Sequence, residues 1–116
     1  MRSIFDFCHL YVHRDPVDMR KSINGLSALV AEEMGLDLDS SSLFIFCNRR
    51  RSHMKILYFD RSGFCLWLKR LEQEKFPWPK NLPANVLAIE AKDLKLLLEG
   101  VNVWGRFKEV HFEKVV

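Results

Sequence analysis

The sequence has no apolar run that approaches the roughly 20 residues needed to cross a bilayer, which excludes a transmembrane helix. Its first residues, MRSIFDFCHLYVHRD, carry an early Arg. They show neither a long apolar core nor a small-residue cleavage site, so they do not read as a signal peptide. Cysteine is scarce. Cys8, Cys47 and Cys65 are odd in number and widely spaced, and each lies among apolar residues. The expectation is three buried free thiols in a reducing cytoplasm. Glycine-rich phosphate loops, dinucleotide fingerprints, zinc ribbons and internal repeats are absent. No Ser or Cys has a base at a recognised offset, and no two carboxylates share a defensible catalytic spacing. Asp15, Asp18 and Asp60 would need folding to bring them together as a nuclease-type metal set. His9 and His13 lack an acidic or Cys ligand at a useful offset and read as polar-face residues of a strand. Catalysis, a cofactor and a bound metal are therefore not expected.

What remains is ordinary soluble-domain chemistry with an uneven charge. The 116 residues are 48% hydrophobic and 28% charged, with a net charge of +3. That length predicts one domain, residues 1–116, with the tail 101–116 unassigned. Residues 1–42 hold four Lys/Arg and seven Asp/Glu, a balance of −3. Residues 43–80 hold nine and three, a balance of +6, and residues 81–116 hold five of each. The positive charge thus sits on the middle of the chain, which points to an anionic partner, nucleic acid first. The alternative is a solvated loop that guards a sheet edge.

The middle of the chain reads LFIFCNRRRSHMKILYFDRSGFCLWLKR from Leu43 to Arg70. Leu43–Cys47, Met54–Phe59 and Phe64–Leu68 are strand-length apolar runs. The first is apolar at every position, as in a strand covered on both faces. The breaks between them are Asn48–His53, with three consecutive arginines, and Asp60-Arg61-Ser62-Gly63, which suits a tight turn. A three-stranded antiparallel meander with a basic first loop follows. Asn48 could shape that loop or reach a base edge.

Upstream, residues 4–13 alternate as a strand, Cys8, Leu10 and Val12 on one side and His9, Tyr11 and His13 on the other. Asp15-Pro16, with Asp18 in the first turn, predicts a helix start. Met19, Ile23, Leu26, Val30 and Met34 continue it as an apolar stripe over 16–34 that Gly35 ends. Gly25 within it marks a close approach or a break. Downstream, the prolines force Phe76-Pro77-Trp78-Pro79 to be extended. Its two aromatics either seal the sheet or offer a stacking platform for bases. Val86–Ile89 is a further strand. Ala91–Glu99 is a short helix with Ala91, Leu94, Leu97 and Leu98 inward and Gly100 at its end. Trp104, Phe107, Val110 and Phe112 in the tail fit a last helix, a strand or a docking segment. The predicted architecture is α+β: an antiparallel sheet of four to five strands around the meander, one long helix on a face and a short flanking helix.

Four segments in this order resemble one family: Pro16-Val17-Asp18-Met19-Arg20-Lys21-Ser22-Ile23-Asn24-Gly25-Leu26, the block Leu43 to Glu72, the turn Phe76-Pro77-Trp78-Pro79, and Leu97-Leu98-Glu99-Gly100. The chain is similar over about residues 12–100 to the TnpB-type accessory proteins, second-reading-frame products, of the IS-sixty-six family of bacterial insertion sequences. It departs at Glu90, where that family tends to have a capping Ser or Thr, and matches no motif after Gly100. The resemblance implies a non-catalytic partner of a separate transposase, cytoplasmic, acting in DNA transposition. With the charge reading, it implies binding to DNA, at the element ends or in the transposase–DNA complex. The residues expected to contact phosphate are Arg49, Arg50, Arg51, Lys55 and Arg61, with Arg20 and Lys21 secondary, because the Arg fork donates two hydrogen bonds at once. A transposase adaptor without DNA contact, an RNA-binding regulator and a small nuclease are the rival classes.

Overall fold

In the computed structural model of the chain, residues 3–80, 82, 84–105 and 107 are described. Five strands form one sheet: β1 (His9–His13), β2 (Ser42–Cys47), β3 (His53–Asp60), β4 (Gly63–Arg70) and β5 (Val86–Ile89). Their order across the sheet is β4-β3-β2-β1-β5. The three apolar runs of the middle segment pair as a meander, Ile45 opposite Ile56 and Leu57 opposite Leu66. Among the described residues the one parallel pairing is β1 with β2, Leu10 beside Leu43, and β5 adds antiparallel to the far side of β1. The α+β architecture is as the sequence predicts, with that parallel pair as a refinement.

The pleat sorts the side chains onto two covered faces. On one face Phe44, Phe46 and Leu57 meet Leu26, Val30 and Met34 of the long helix. On the other, Leu43, Ile45, Met54 and Ile56 meet Phe7, Phe76, Trp78, Leu94, Leu97 and Trp104. Burial on both sides is why β2 tolerates no polar residue from Leu43 to Cys47; Phe44, Ile45, Phe46 and Cys47 are all at 0% exposure. Each such side chain contributes roughly 1.5–3 kcal/mol.

The long helix starts later than its capping signals predict. It comprises α1 (Ile23–Ala28) followed directly by a π-helical turn (Leu29–Met34), and Gly35 ends it at φ 63°. Residues 16–22 are not helical because other bonds claim their backbone. The Val17 N–H donates to the Cys47 carbonyl at 2.9 Å. The Asp18 carboxylate accepts the Arg20 N–H at 2.8 Å, and the Lys21 N–H donates to the Asp18 carbonyl at 3.0 Å, closing a turn. Lys55 then donates its ammonium to the carbonyls of Met19 and Lys21, each at 2.8 Å. Gly25 therefore falls in the first turn, where an added Cβ would lie 3.3 Å from Lys21 Cγ.

Two further expectations are corrected near the N-terminus. Residues 4–13 are not one strand; Ile4–Asp6 form a 3₁₀ turn closed by Ser3 before β1 begins. Cys8 lies between them and is exposed, while Cys47 is buried and Cys65 half-buried. Burial pushes the Cys47 thiol up to about 12. The second helix, α2 (Ala91–Leu98), has Glu90 at its N-cap. The Glu90 N–H donates to the Asp93 carboxylate at 3.0 Å, so an acid at the third helical position bonds back to the cap and satisfies a terminal donor.

The β3–β4 turn carries a measurable strain. Arg61 occupies its first central position at φ 55°, where a Cβ is unfavourable. Arg61→Gly is expected to leave stability unchanged or raise it by up to ~1 kcal/mol, relief of strain competing with the entropy of a freer unfolded chain. Urea denaturation checks this; a loss above ~1 kcal/mol would mean the Arg61 side chain itself holds the turn.

A candidate anion-binding recess at one end of the sheet

The loop between β2 and β3 is built by Asn48. Its side-chain oxygen accepts the N–H groups of Ser52 and His53 at 2.9 and 3.0 Å, and its amide donates to the Ser52 hydroxyl at 3.1 Å. The Arg51 N–H donates to the Asn48 carbonyl at 3.0 Å. Asn48 therefore spends its side chain on shaping the loop and does not reach outward. Arg49 and Arg50 are exposed, whereas Arg51 is half-buried at φ 61°. Arg51 sits inward because its carbonyl accepts the Phe76 N–H at 2.8 Å, and the Leu71 N–H donates to the Ser52 carbonyl at 2.7 Å. The Phe76 bond ties the extended strap 76–80 to the arginine loop, and the Leu71 bond ties down the chain as it leaves β4.

The strap is anchored from beneath. Phe76 and Trp78 are 1% and 8% exposed, so they seal the sheet and do not form an open stacking platform. The Trp78 indole donates to the Arg14 carbonyl, and the Trp104 indole to the Pro77 carbonyl, each at 2.9 Å. Two adjoining recesses flank the strap. One, of about 350 Å³, is walled by Arg14, Asp15, Asn48, Arg49, Arg51 and Lys80. The other, of about 380 Å³, shares Arg51, Trp78, Pro79 and Lys80 with it and extends to Asn102 and Trp104.

The cations of the chain divide by whether they are already neutralised. Arg20 is paired with Asp18 at 2.6 Å, Arg14 with Asp15 at 3.4 Å, and Arg70 with Glu72 at 2.8 Å. Arg14 also donates to the Leu82 carbonyl. The guanidinium of Arg20 holds the exposed Asp18 carboxyl down at about 2. Lys55 and Lys69 are bound to backbone carbonyls, Lys69 to that of Leu98 at the end of α2 at 2.9 Å. Arg49, Arg50, Arg51 and Lys80 form no ion pair among the described residues, nor do Lys21, Arg61, Lys75 and Lys95, but only the first four gather around the loop and strap.

Of the residues singled out in the sequence, the fold therefore brings Arg49, Arg50 and Arg51 together and sets Arg20 and Lys21 at the same end of the sheet. Lys55 lies there too, turned to a structural task. Arg61 is elsewhere. Consecutive turns of an antiparallel meander lie at opposite ends, and the eight residues of β3 separate them by roughly 23 Å at ~3.3 Å per residue step. Arg61 does not extend the patch. Sequence reading missed Arg14 and Lys80, which reach the recess from outside the loop. The only sequence sign of Lys80 was its place directly after the rigid Phe76-Pro77-Trp78-Pro79 strap.

His9 and His13 do not form a shared metal site, and no group of three or more His, Cys, Asp or Glu is placed to hold a metal among the described residues. His13 is buried, with Nδ1 2.8 Å from the Asp15 carbonyl and Nε2 3.5 Å from Glu33. No helix of the described residues is long and apolar enough to cross a membrane.

Fold and recess together define a small α+β domain whose outstanding surface is a cluster of uncompensated cations. Its family is shown by comparison: residues 8–108 match the family described as IS66 Orf2 like protein (TnpB_IS66), and the chain belongs to it. The family is one of insertion-sequence accessory proteins, which ties the chain to transposition and to the transposase system. Two proteins of Sinorhizobium fredii (strain NBRC 101917 / NGR234) are similar. "Uncharacterized protein y4jC" is 33% identical over 99 residues, covering 85% of this chain and 83% of that protein. "Uncharacterized protein y4hO" is 34% identical over 85 residues, covering 73% of each. No solved structure matches the chain significantly.

Proposed function

We propose that this accessory protein assists transposition by binding the phosphate backbone of DNA through the end of the sheet that carries Arg49, Arg50, Arg51 and Lys80. One observation carries the reading: these four cations gather around one loop and strap at one end of the sheet with no ion pair among the described residues, whereas Arg14, Arg20 and Arg70 are paired with acids and Lys55 and Lys69 are bound to backbone carbonyls. Uncompensated Arg and Lys on a fixed loop are what phosphate contact requires, since binding gains by releasing the condensed counterions of DNA. The protein works without chemistry of its own, in the cytoplasm, positioning the element ends or the transposase–DNA complex. Lys55 serves this site indirectly, by holding residues 19–21 against the sheet beside it.

The test is a titration of the purified protein against duplex DNA at several salt concentrations. With four to five phosphate contacts, log K is expected to fall against log salt with a slope of roughly −4. A weak, salt-flat response to DNA, with tight binding to the transposase instead, would replace DNA contact with a protein adaptor.

A further inference from the structure

The two edges of the sheet are built differently. β5, at one edge, has four residues, and a short edge strand is an ordinary protection against pairing with another chain. β4, at the other, has eight, in an unbroken register with β3, with no proline, no bulge and no charge from Phe64 to Leu68. The direction of its backbone groups follows from that pairing. Asp60 lies opposite Gly63 across a two-residue turn, and the Leu71 N–H donates to the Ser52 carbonyl at 2.7 Å. Bonded residues alternate in an antiparallel ladder, so the odd-numbered residues of β4 bond to β3, and Phe64, Leu66 and Leu68 turn their N–H and C=O outward. No described segment pairs with them. Their side chains share the face of the long helix, where Leu66 packs against the core. Phe64 and Leu68 are 38% and 51% exposed, and Phe59 holds Phe64 edge-to-face at 5.1 Å between ring centres. The charged end of the strand is already satisfied, Lys69 by the Leu98 carbonyl and Arg70 by Glu72.

We infer that β4 pairs antiparallel with β4 of a second copy of this chain, about a two-fold axis at Leu66. A strand pairs with itself only where its residues match in reverse order, and β4 meets that condition. The register sets Leu66 opposite Leu66, and Phe64 of each copy opposite Leu68 of the other. These are the residues whose backbone groups face outward, so donors and acceptors meet at every bonded pair. The exposed apolar side chains of one copy cover those of the other, and such cross-strand pairs stabilise a sheet. Moving the axis to a neighbouring residue would set Leu68 opposite Ser62, or Phe64 opposite Arg70, and lose that match. The two five-stranded sheets become one of ten strands, with both long helices on the same face. The inference does not depend on DNA binding. Combined with it, the antiparallel arrangement sets one arginine loop at each end of the joint sheet, so a dimer faces two separate stretches of DNA.

The test is sedimentation equilibrium of the full-chain protein without DNA, from ~1 µM to ~1 mM, the span of weak association. A monomer–dimer equilibrium is expected. The variant F64K/L68K opposes Lys to Lys in both symmetric pairs and should weaken the dimer at least ~10-fold. F64K/L68E alters the same two positions but opposes Lys to Glu, and should dimerise at least ~10-fold more tightly than F64K/L68K. Urea denaturation checks that both variants are folded. On the unaltered protein, amide exchange at Phe64, Leu66 and Leu68 should slow in step with the dimer fraction as concentration rises. A monomer throughout overturns the inference. So does a dimer that F64K/L68K leaves intact, because its interface then lies elsewhere. Equal loss in both variants overturns the register. Amides at 64, 66 and 68 that exchange equally fast in monomer and dimer overturn the pairing even if neither variant folds. DNA binding is tested separately by the salt titration, so its failure and that of the dimer are distinguishable.

Discussion

Replacing the arginine loop in the triple variant R49A/R50A/R51G is expected to remove ~2–3 units of the salt slope for duplex DNA, because each phosphate contact contributes about 0.9. Three lost contacts amount to about 40-fold of salt-dependent affinity between 50 and 200 mM salt. The variant and the unaltered protein should therefore differ widely at low salt and converge as salt rises. Glycine is chosen at position 51 because its φ of 61° disfavours any side chain. The change in folding stability should stay within ~1 kcal/mol, since two of the three side chains are exposed and charge removal at exposed sites is usually within ~0.5 kcal/mol. A folded variant with unchanged affinity and slope would reduce the loop to a solvated turn.

The second large effect is on stability and lies at Phe76. This ring is 1% exposed and sits in the core cluster with residues of β1, β2 and β3. Phe76→Ala should cost ~3–5 kcal/mol, the range for truncating a buried aromatic ring. Domains have ~5–15 kcal/mol in total, so the variant should be markedly closer to unfolding. Because the Phe76 ring anchors the strap in the core, a variant that stays folded should hold Lys80 less well and bind DNA more weakly, although its backbone N–H to Arg51 is retained. A shift in denaturation midpoint equivalent to less than ~1 kcal/mol would mean that neighbouring side chains close the cavity, and would count against the strap as the support of the site.

The meander was legible because everything that fixes it is local. Three apolar runs, two polar breaks and an unbroken Leu43–Cys47 run state both pairing and two-sided burial. The start of the long helix was not legible. Asp15, Pro16 and Asp18 carry the signals of a helix N-terminus, and the bonds that overrule them come from Cys47 and Lys55, about thirty or more residues away. The same holds for the parallel register of β1 on β2, which depends on where the intervening helix crosses. At the site, the three arginines could be read directly. The recess could not, because Arg14 and Lys80 reach it only after Trp78 bonds to the Arg14 carbonyl. The separation of Arg61 from the loop was available in principle, since turn parity in a meander follows from strand count alone. The reading of the tail at Val110 and Phe112 lies outside the described residues, whereas Trp104 is buried in the core.

The mixed order of the sheet also has a kinetic meaning. Joining β2 to β3 closes a loop of a few residues, whereas joining β1 to β2 must close one of about thirty, and closure entropy grows with the logarithm of that length. β5 has only β1 to pair with, so it cannot join until β1 has docked. The β2–β3–β4 unit is therefore the natural folding nucleus, and the two N-terminal-side pairings condense onto it afterwards. Core truncations at Ile56 or Leu57 should slow refolding with φ-values near 0.5–0.8, while truncations at Leu87 or Ile89 should chiefly speed unfolding, with φ below ~0.3. The opposite ranking in stopped-flow refolding would place the nucleus across the parallel pair instead. On this route the arginine loop is closed early, in the first hairpin to form, and the recess appears only when the strap and β1 arrive.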